Sequence, residues 1–305
     1  MWWLIKVGII IFLVIQFFTN DGFRYCVFHP RLILKYAFKD AFLWFKYKRW
    51  NELTRFGCMD IYIADERQPF GSGKTLNMVA NAWEIYDKYN DVDVFSFEKM
   101  DWVKQYVHIY SNVALNGLPY IPLTNTYQLV NIATGETAFD DDNVHIYLFL
   151  FDELGRLFNN RDWKTNLNSD LLGALLQQRK NHLIIKGTVQ DFSLFDATMR
   201  KICTNVYSCT KRWRILYLRS YFAKDLERAN FNTSMVATRS HFCRFASDAL
   251  YNSYDTNEVV GQLQKEIEAG VHLSNEEVLK ASDNSGSDVR TLTRVGKRFR
   301  KHTKG

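Results

Sequence analysis

The chain has 305 residues, 47% of them hydrophobic and 15% aromatic, and carries a formal charge of +6. That length suits one sizeable α/β domain with appendages better than two large independent domains. The modest basic excess permits contact with anionic lipid or nucleic acid and establishes neither. Cys26, Cys58, Cys203, Cys209 and Cys243 form no C-x-x-C pair, so they indicate neither a disulfide framework nor a zinc site and fit a reducing compartment. The histidines never fall at metal-ligand spacing.

From Trp2 to Phe18 the chain is almost wholly apolar, broken by Lys6, Gly8 and Gln16. This lies at the short end of the roughly 17 to 25 residues that cross a bilayer as a helix. Lys6 can snorkel, and Trp2 and Trp3 suit headgroup depth. No small-residue cleavage site follows Phe18, which argues against a signal peptide. Residues 1–20 are therefore expected to be a single-pass transmembrane anchor. Across 21–56, Arg24, Arg31, Lys35, Lys39, Lys46, Lys48, Arg49 and Arg55 alternate with aromatic residues such as Phe28, Phe38, Trp44 and Trp50. Such a juxtamembrane helical region suits an anionic membrane surface or, alternatively, packs on the following domain. Positive charge beyond Asn20 places the rest of the chain in the cytosol.

Met59–Ile63 reads as a strand and Thr75–Tyr89 as a helix, with Leu76, Val79, Ala80, Trp83 and Tyr86 on one face. Between them, Gln68-Pro69-Phe70-Gly71-Ser72-Gly73-Lys74-Thr75 matches G-x-x-x-x-G-K-[ST] with Gln68 in place of the first glycine. Such a loop turns backbone N–H groups onto phosphates, and the following helix adds its positive end. Gly71, Ser72, Gly73, Lys74, Thr75 and Leu76 are the expected ATP-binding residues. Lys74 would reach the β- and γ-phosphates and Thr75 would offer its hydroxyl to Mg2+.

The apolar run Ile146–Phe151 reads as a parallel strand buried on both faces, with Asp152 and Glu153 emerging at its ligand-binding end. Asp152 is the expected second magnesium ligand, and Glu153 the base that positions or deprotonates water. A helix is expected from Ser169 to Lys180, capped by Ser169, with Leu171, Leu172, Leu175 and Leu176 at helical spacing. The strand Leu183–Val189 ends at Gln190, whose amide can sense the γ-phosphate. Ser193–Lys201 reads as helical. A hairpin joins Asn205–Thr210 to Ile215–Phe222 through the turn Lys211-Arg212-Trp213-Arg214, whose basic and aromatic residues suit single-stranded DNA or a plain exposed turn.

The order of these elements resembles the zonula occludens toxin-like ATPases, assembly proteins of filamentous bacteriophages and a distant branch of the FtsK/HerA pumping ATPases. The residues that carry the resemblance are Gln68 to Thr75, Ile109-Tyr110-Ser111-Asn112-Val113, Phe151-Asp152-Glu153, Gln178 to His182, Thr188-Val189-Gln190, and Asp196 with Arg200. The resemblance spans roughly Cys58 to Phe222. It implies a homo-oligomeric ring at the inner membrane of the host that extrudes a single-stranded DNA virion, with phage assembly or coat proteins as partners. One departure is the order, because the span here precedes the ATPase domain. In such rings an arginine from one subunit completes the neighbour's site, and Arg179, Arg200 and Arg156 are the candidates here.

A GTPase motif is missing, since Thr210-Lys211-Arg212-Trp213 lacks the required aspartate, and no Gly-rich transporter signature precedes Asp152. A DNA-translocating pump of the FtsK/HerA or conjugative type is the alternative reading, and a nucleotide-gated membrane scaffold is a third. The expected fold is a RecA-like P-loop core with a mostly parallel sheet over 57–260. A C-terminal helix, Glu258–Ala269, and a flexible basic tail follow over 261–305.

Overall fold

The structure, a computed structural model, describes residues 2–53, 57–123, 127–134, 139, 141–154 and 169–255. The chain divides into a unit Met1–Asp255 and a unit Thr256–Gly305. Arg55, Arg156, the Glu258–Ala269 helix and the basic tail lie outside the described residues.

Helix α1 (Trp2–Thr19) exposes Ile9, Ile10, Ile11 and Phe12 alike. Consecutive residues step about 100° around a helix, so this apolar surface covers the whole circumference. Asn20 ends the run: its side chain accepts from Phe23 N at 3.1 Å and caps α2 (Asp21–Phe28). Pro30 opens α3 (Pro30–Lys46), and neither α2 nor α3 buries a residue. The expected single spanning helix is therefore corrected. No single helix among the described residues is long and apolar enough to cross a membrane, whereas Ile5–Thr19 and Asp21–Phe28, meeting at 104°, reach that length and composition together.

The strands are β1 (Cys58–Ala64), β2 (Val92–Ser96), β3 (Asp101–Ser111), β4 (Ala114–Leu115), β5 (Ile121–Pro122), β6 (Val144–Phe151), β7 (Leu183–Val189), β8 (Asn205–Arg212), β9 (Ile215–Phe222), β10 (Ser240–Phe245) and β11 (Tyr254–Asp255). Among the described residues, nine form one sheet in the order β10-β9-β8-β1-β7-β6-β3-β2, with β5 beside β3. The central pairs are parallel, as expected, while β2–β3, β8–β9 and β9–β10 are antiparallel. The sheet is thus mixed: short turns join β2 to β3 and β8 to β9, where a parallel pair would need a long crossover, and β10 returns antiparallel to β9 after a longer connection.

Helix α4 (Lys74–Tyr89) covers one face through Met78, Val79 and Ala82. The other face is covered by α5 (Tyr127–Thr134) and the helix Ser169–Leu176, through Leu129, Ile132, Ala174 and Leu175. Between these layers every residue of β6 from Ile146 to Phe151 is buried, as its unbroken apolar run requires. The helix expected to reach Lys180 ends at Leu176, which is exposed, and turns carry the chain to His182.

One polar pair lies inside the sheet. Lys186 of β7 donates to Asp60 of β1 at 2.9 Å, and Asn205 of β8 donates to the other Asp60 oxygen at 2.8 Å. Burial works to lower the Lys186 pKa, but Asp60, Tyr62 and Cys58 together outweigh it and hold it above the usual lysine value.

Candidate functional site

Because β1, β7 and β6 are parallel neighbours, the loops after Ala64, Val189 and Phe151 open on the same edge of the sheet. The loop after β1 first folds on itself. Gln68 N donates to Asp65 O at 2.8 Å, and the Asp65 carboxylate accepts from Arg67 N at 3.1 Å and Ser208 Oγ at 3.3 Å. This turn uses up the extra residues before the phosphate-loop motif. The Gln68 side chain then works as a brace, accepting from Lys211 N at 2.9 Å and donating to Gly71 O at 3.3 Å.

Gly73 caps α4 with φ 80°, a left-handed conformation that favours glycine, and a Cβ there would crowd Leu216 Cδ2 at 3.0 Å. Asn77 Nδ2 holds the Gly73 carbonyl at 2.9 Å. Buried Ser72 Oγ has no hydrogen-bond partner, Leu76 is buried in the first turn, and Lys74 Nζ donates to Gln190 Oε1 at 3.0 Å. Partial burial lowers the Lys74 pKa, while Cys209, Asp152 and Glu153 pull it upward.

The two expected halves of the site meet at Thr75. Its hydroxyl donates to Asp152 Oδ1 at 2.9 Å, and Thr188 Oγ1 donates to the same oxygen at 2.5 Å. Asn112 clasps the Asp152 backbone from both sides, with Asp152 N donating to Asn112 Oδ1 at 2.7 Å and Asn112 Nδ2 donating to Asp152 O at 3.0 Å. Glu153 follows with φ 53°, a left-handed conformation costing roughly 1–2 kcal/mol for such a residue. Its N–H donates to Thr188 Oγ1 at 2.9 Å. Strain of this kind concentrates where geometry serves chemistry.

No family model matches the chain, and no curated protein matches it. Several solved structures are similar to it, three of which follow. The first is the N-terminal domain of zonular occludens toxin from Neisseria meningitidis, at 15% identity over 66% of this chain and 100% of that one, with a TM-score of 0.40. The second is the genome packaging NTPase B204 from Sulfolobus turreted icosahedral virus 2 in complex with ATP-gammaS, at 9% identity over 62% of this chain and 97% of that one, with a TM-score of 0.34. The third is EssC (ATPases 2 and 3) from Geobacillus thermodenitrificans, at 11% identity over 70% of this chain and 43% of that one, with a TM-score of 0.30.

The residues present fit a magnesium nucleotide. Thr75 and Asp152 are hard oxygen donors converging on one point, and Mg2+ is commonly held by one or two carboxylates with substrate phosphates and water. Among the described residues no group of three or more His, Cys, Asp or Glu offers an all-protein metal cage.

The arginines lie elsewhere. Arg200 donates to the Ser193 and Phe195 carbonyls, reaches Glu227 at 3.4 Å and stacks over Phe231, which engages it within its own subunit. Arg179 lies beside Gly57, before β1 begins, at the opposite end of the sheet from Lys74. Neither is brought to the site within this chain. The bracing roles of Thr188 and Gln68 escaped sequence reasoning, because each depends on a strand register that no local pattern encodes.

Proposed function

We propose that this chain is an ATP hydrolase held at the inner face of the host membrane by its N-terminal helices. The observation that carries the catalytic reading is the Thr75–Asp152 contact, which joins the phosphate loop to a carboxylate strand 77 residues away. In this reading the backbone N–H groups of Gly71, Ser72, Gly73, Thr75 and Leu76 bind phosphate oxygens at the positive end of α4. Lys74 leaves Gln190 for the β- and γ-phosphates. Magnesium, when bound by Thr75 and Asp152, neutralises phosphate charge. Glu153 takes a proton from the attacking water, which Gln190 orients. The water oxygen bonds to the γ-phosphorus as the bond to the β,γ-bridging oxygen breaks, giving ADP and inorganic phosphate.

For the work done with that energy, we propose assembly and extrusion of a filamentous single-stranded DNA phage by a ring of these chains. Support comes from the sequence resemblance carried by Gln68–Thr75, Phe151–Glu153 and Thr188–Gln190. Arg179 or Arg200 of a neighbouring copy is the proposed arginine in trans.

Steady-state hydrolysis by the full chain tests the first part. Lys74→Ala is expected to abolish it, and Glu153→Gln to lower kcat by about 10²–10⁴ while nucleotide still binds. Equal turnover in all three proteins removes the assignment. For the second part, phage carrying Lys74→Ala should fail to release virions, whereas normal release with DNA-stimulated hydrolysis points to a DNA pump instead.

A further inference from the structure

At the end of the sheet away from Lys74, the exit of α3 meets the β2–β3 hairpin in an aromatic surface. Tyr47, directly after α3, has its ring 4.2 Å from Phe95 and 5.2 Å from Phe97. Trp102 extends the row, 5.6 Å from Phe95. On the helix side Trp50 lies 5.0 Å from Trp44, and the Arg49 guanidinium lies 5.3 Å from the Phe97 ring, linking the two groups. These contacts leave much of the surface bare: Phe97 is 50% exposed and Met100 69%. Contiguous exposed apolar surface of this sort marks an interaction site.

Direction follows from the strand pairing. β3 runs parallel to β6 and β2 antiparallel to β3, so the turn at 97–100 lies at the N-terminal ends of the parallel strands. The chain coming from α3 enters β1 at that same end. The aromatic surface is therefore continuous with the exposed apolar helices that precede it.

We propose that the 97–100 turn is a second membrane contact, by which the catalytic domain rests this end of its sheet on the headgroup layer of an anionic bilayer. The proposal builds on the anchor assigned above. Tryptophan, tyrosine and basic side chains together suit the membrane interface. Lys99 and Lys104 are engaged by Asp142 and by Asp91 and Asp93, and Arg49 by Glu52, so attraction to anionic lipid falls to Lys46 and Lys48. Glu98 within the turn and Asp101 directly after it keep it at headgroup depth rather than deeper. With this end seated on lipid, the nucleotide loop faces the cytosol.

The test uses the full chain with Cys26→Ser and Cys243→Ser, carrying either Met100→Cys or Trp213→Cys. Both positions are exposed and left-handed, and Trp213 lies at the opposite end of the sheet. Each protein is labelled with an environment-sensitive fluorophore and added to phosphatidylglycerol–phosphatidylcholine vesicles with brominated acyl chains. The label at 100 is expected to shift to the blue and lose much of its emission, and the label at 213 to change little. Equal quenching of both labels on chains that float with vesicles overturns the hairpin contact and leaves the anchor standing. A chain that stays off the vesicles overturns both. A blue shift at 100 that appears without lipid and grows with protein concentration assigns the surface to self-association and also overturns the proposal.

Discussion

Asp152 Oδ1 accepts from two threonine hydroxyls, and their roles differ. Thr75 stands on the phosphate loop and is free to exchange this bond for a cation. Thr188 belongs to β7, and its oxygen also accepts from Glu153 N, so one hydroxyl sets both acids. Thr188→Val keeps the shape and removes the bonds. It is expected to cost about 1–3 kcal/mol by denaturant unfolding, with a lower kcat and a little-changed KM, while Thr188→Ser restores turnover. The phosphate loop itself was legible because its chemistry is written in consecutive residues. Thr188 was not, because its meaning arises only when β7 settles beside β6.

Among the elements, β1, β7 and β8 share the buried Asp60–Lys186–Asn205 group. Lys186→Met strands a buried carboxylate and is expected to lower unfolding free energy by about 3–5 kcal/mol. Asp60→Leu combined with Lys186→Met should recover much of that loss in the same measurement, since no buried charge is then left alone.

The pairing of β3 with β6 carries a second polar chain. His108 Nε2 meets His145 Nδ1 at 2.8 Å, and His145 Nε2 meets Asp141 at 2.6 Å. Burial, with His145 beside it, lowers His108 from 6.5 to about 4, and hydrogen bonds from Asn143 and His145 lower Asp141 to about 2. A histidine depressed on folding binds its proton more readily in the unfolded chain, so stability declines as pH falls from 6.5 towards 4. Asp141 adds a further decline between 3.8 and about 2. Melting temperatures across this range should fall for the native chain and fall less above pH 4 for His108→Phe. The element easiest to foresee was β6, whose unbroken apolar run is that of a strand buried on both faces. β3 proved longer than its apolar segment, because its first half alternates buried Val103, Gln105 and Val107 with more exposed neighbours.

At the scale of the molecule, the parallel centre was legible and the mixed edges were not. A two-residue turn at Trp213 and Arg214 reverses the chain where a wider loop was expected. The expected spanning segment, 1–20, forms one helix too short to cross alone, and the chain turns by 104° at Asn20, which caps the next helix. Composition gives the length of an apolar stretch, whereas the direction of the chain at a cap depends on one side-chain bond.

The loop that clasps Asp152 has another attachment. Two residues beyond Asn112, β4 begins, and it pairs with β11, while Asn116 N donates to Ser253 O at 2.8 Å. The segment that holds the Asp152 backbone thus also holds β11, so a displacement of that short strand reaches the asparagine clasp within a few residues of chain.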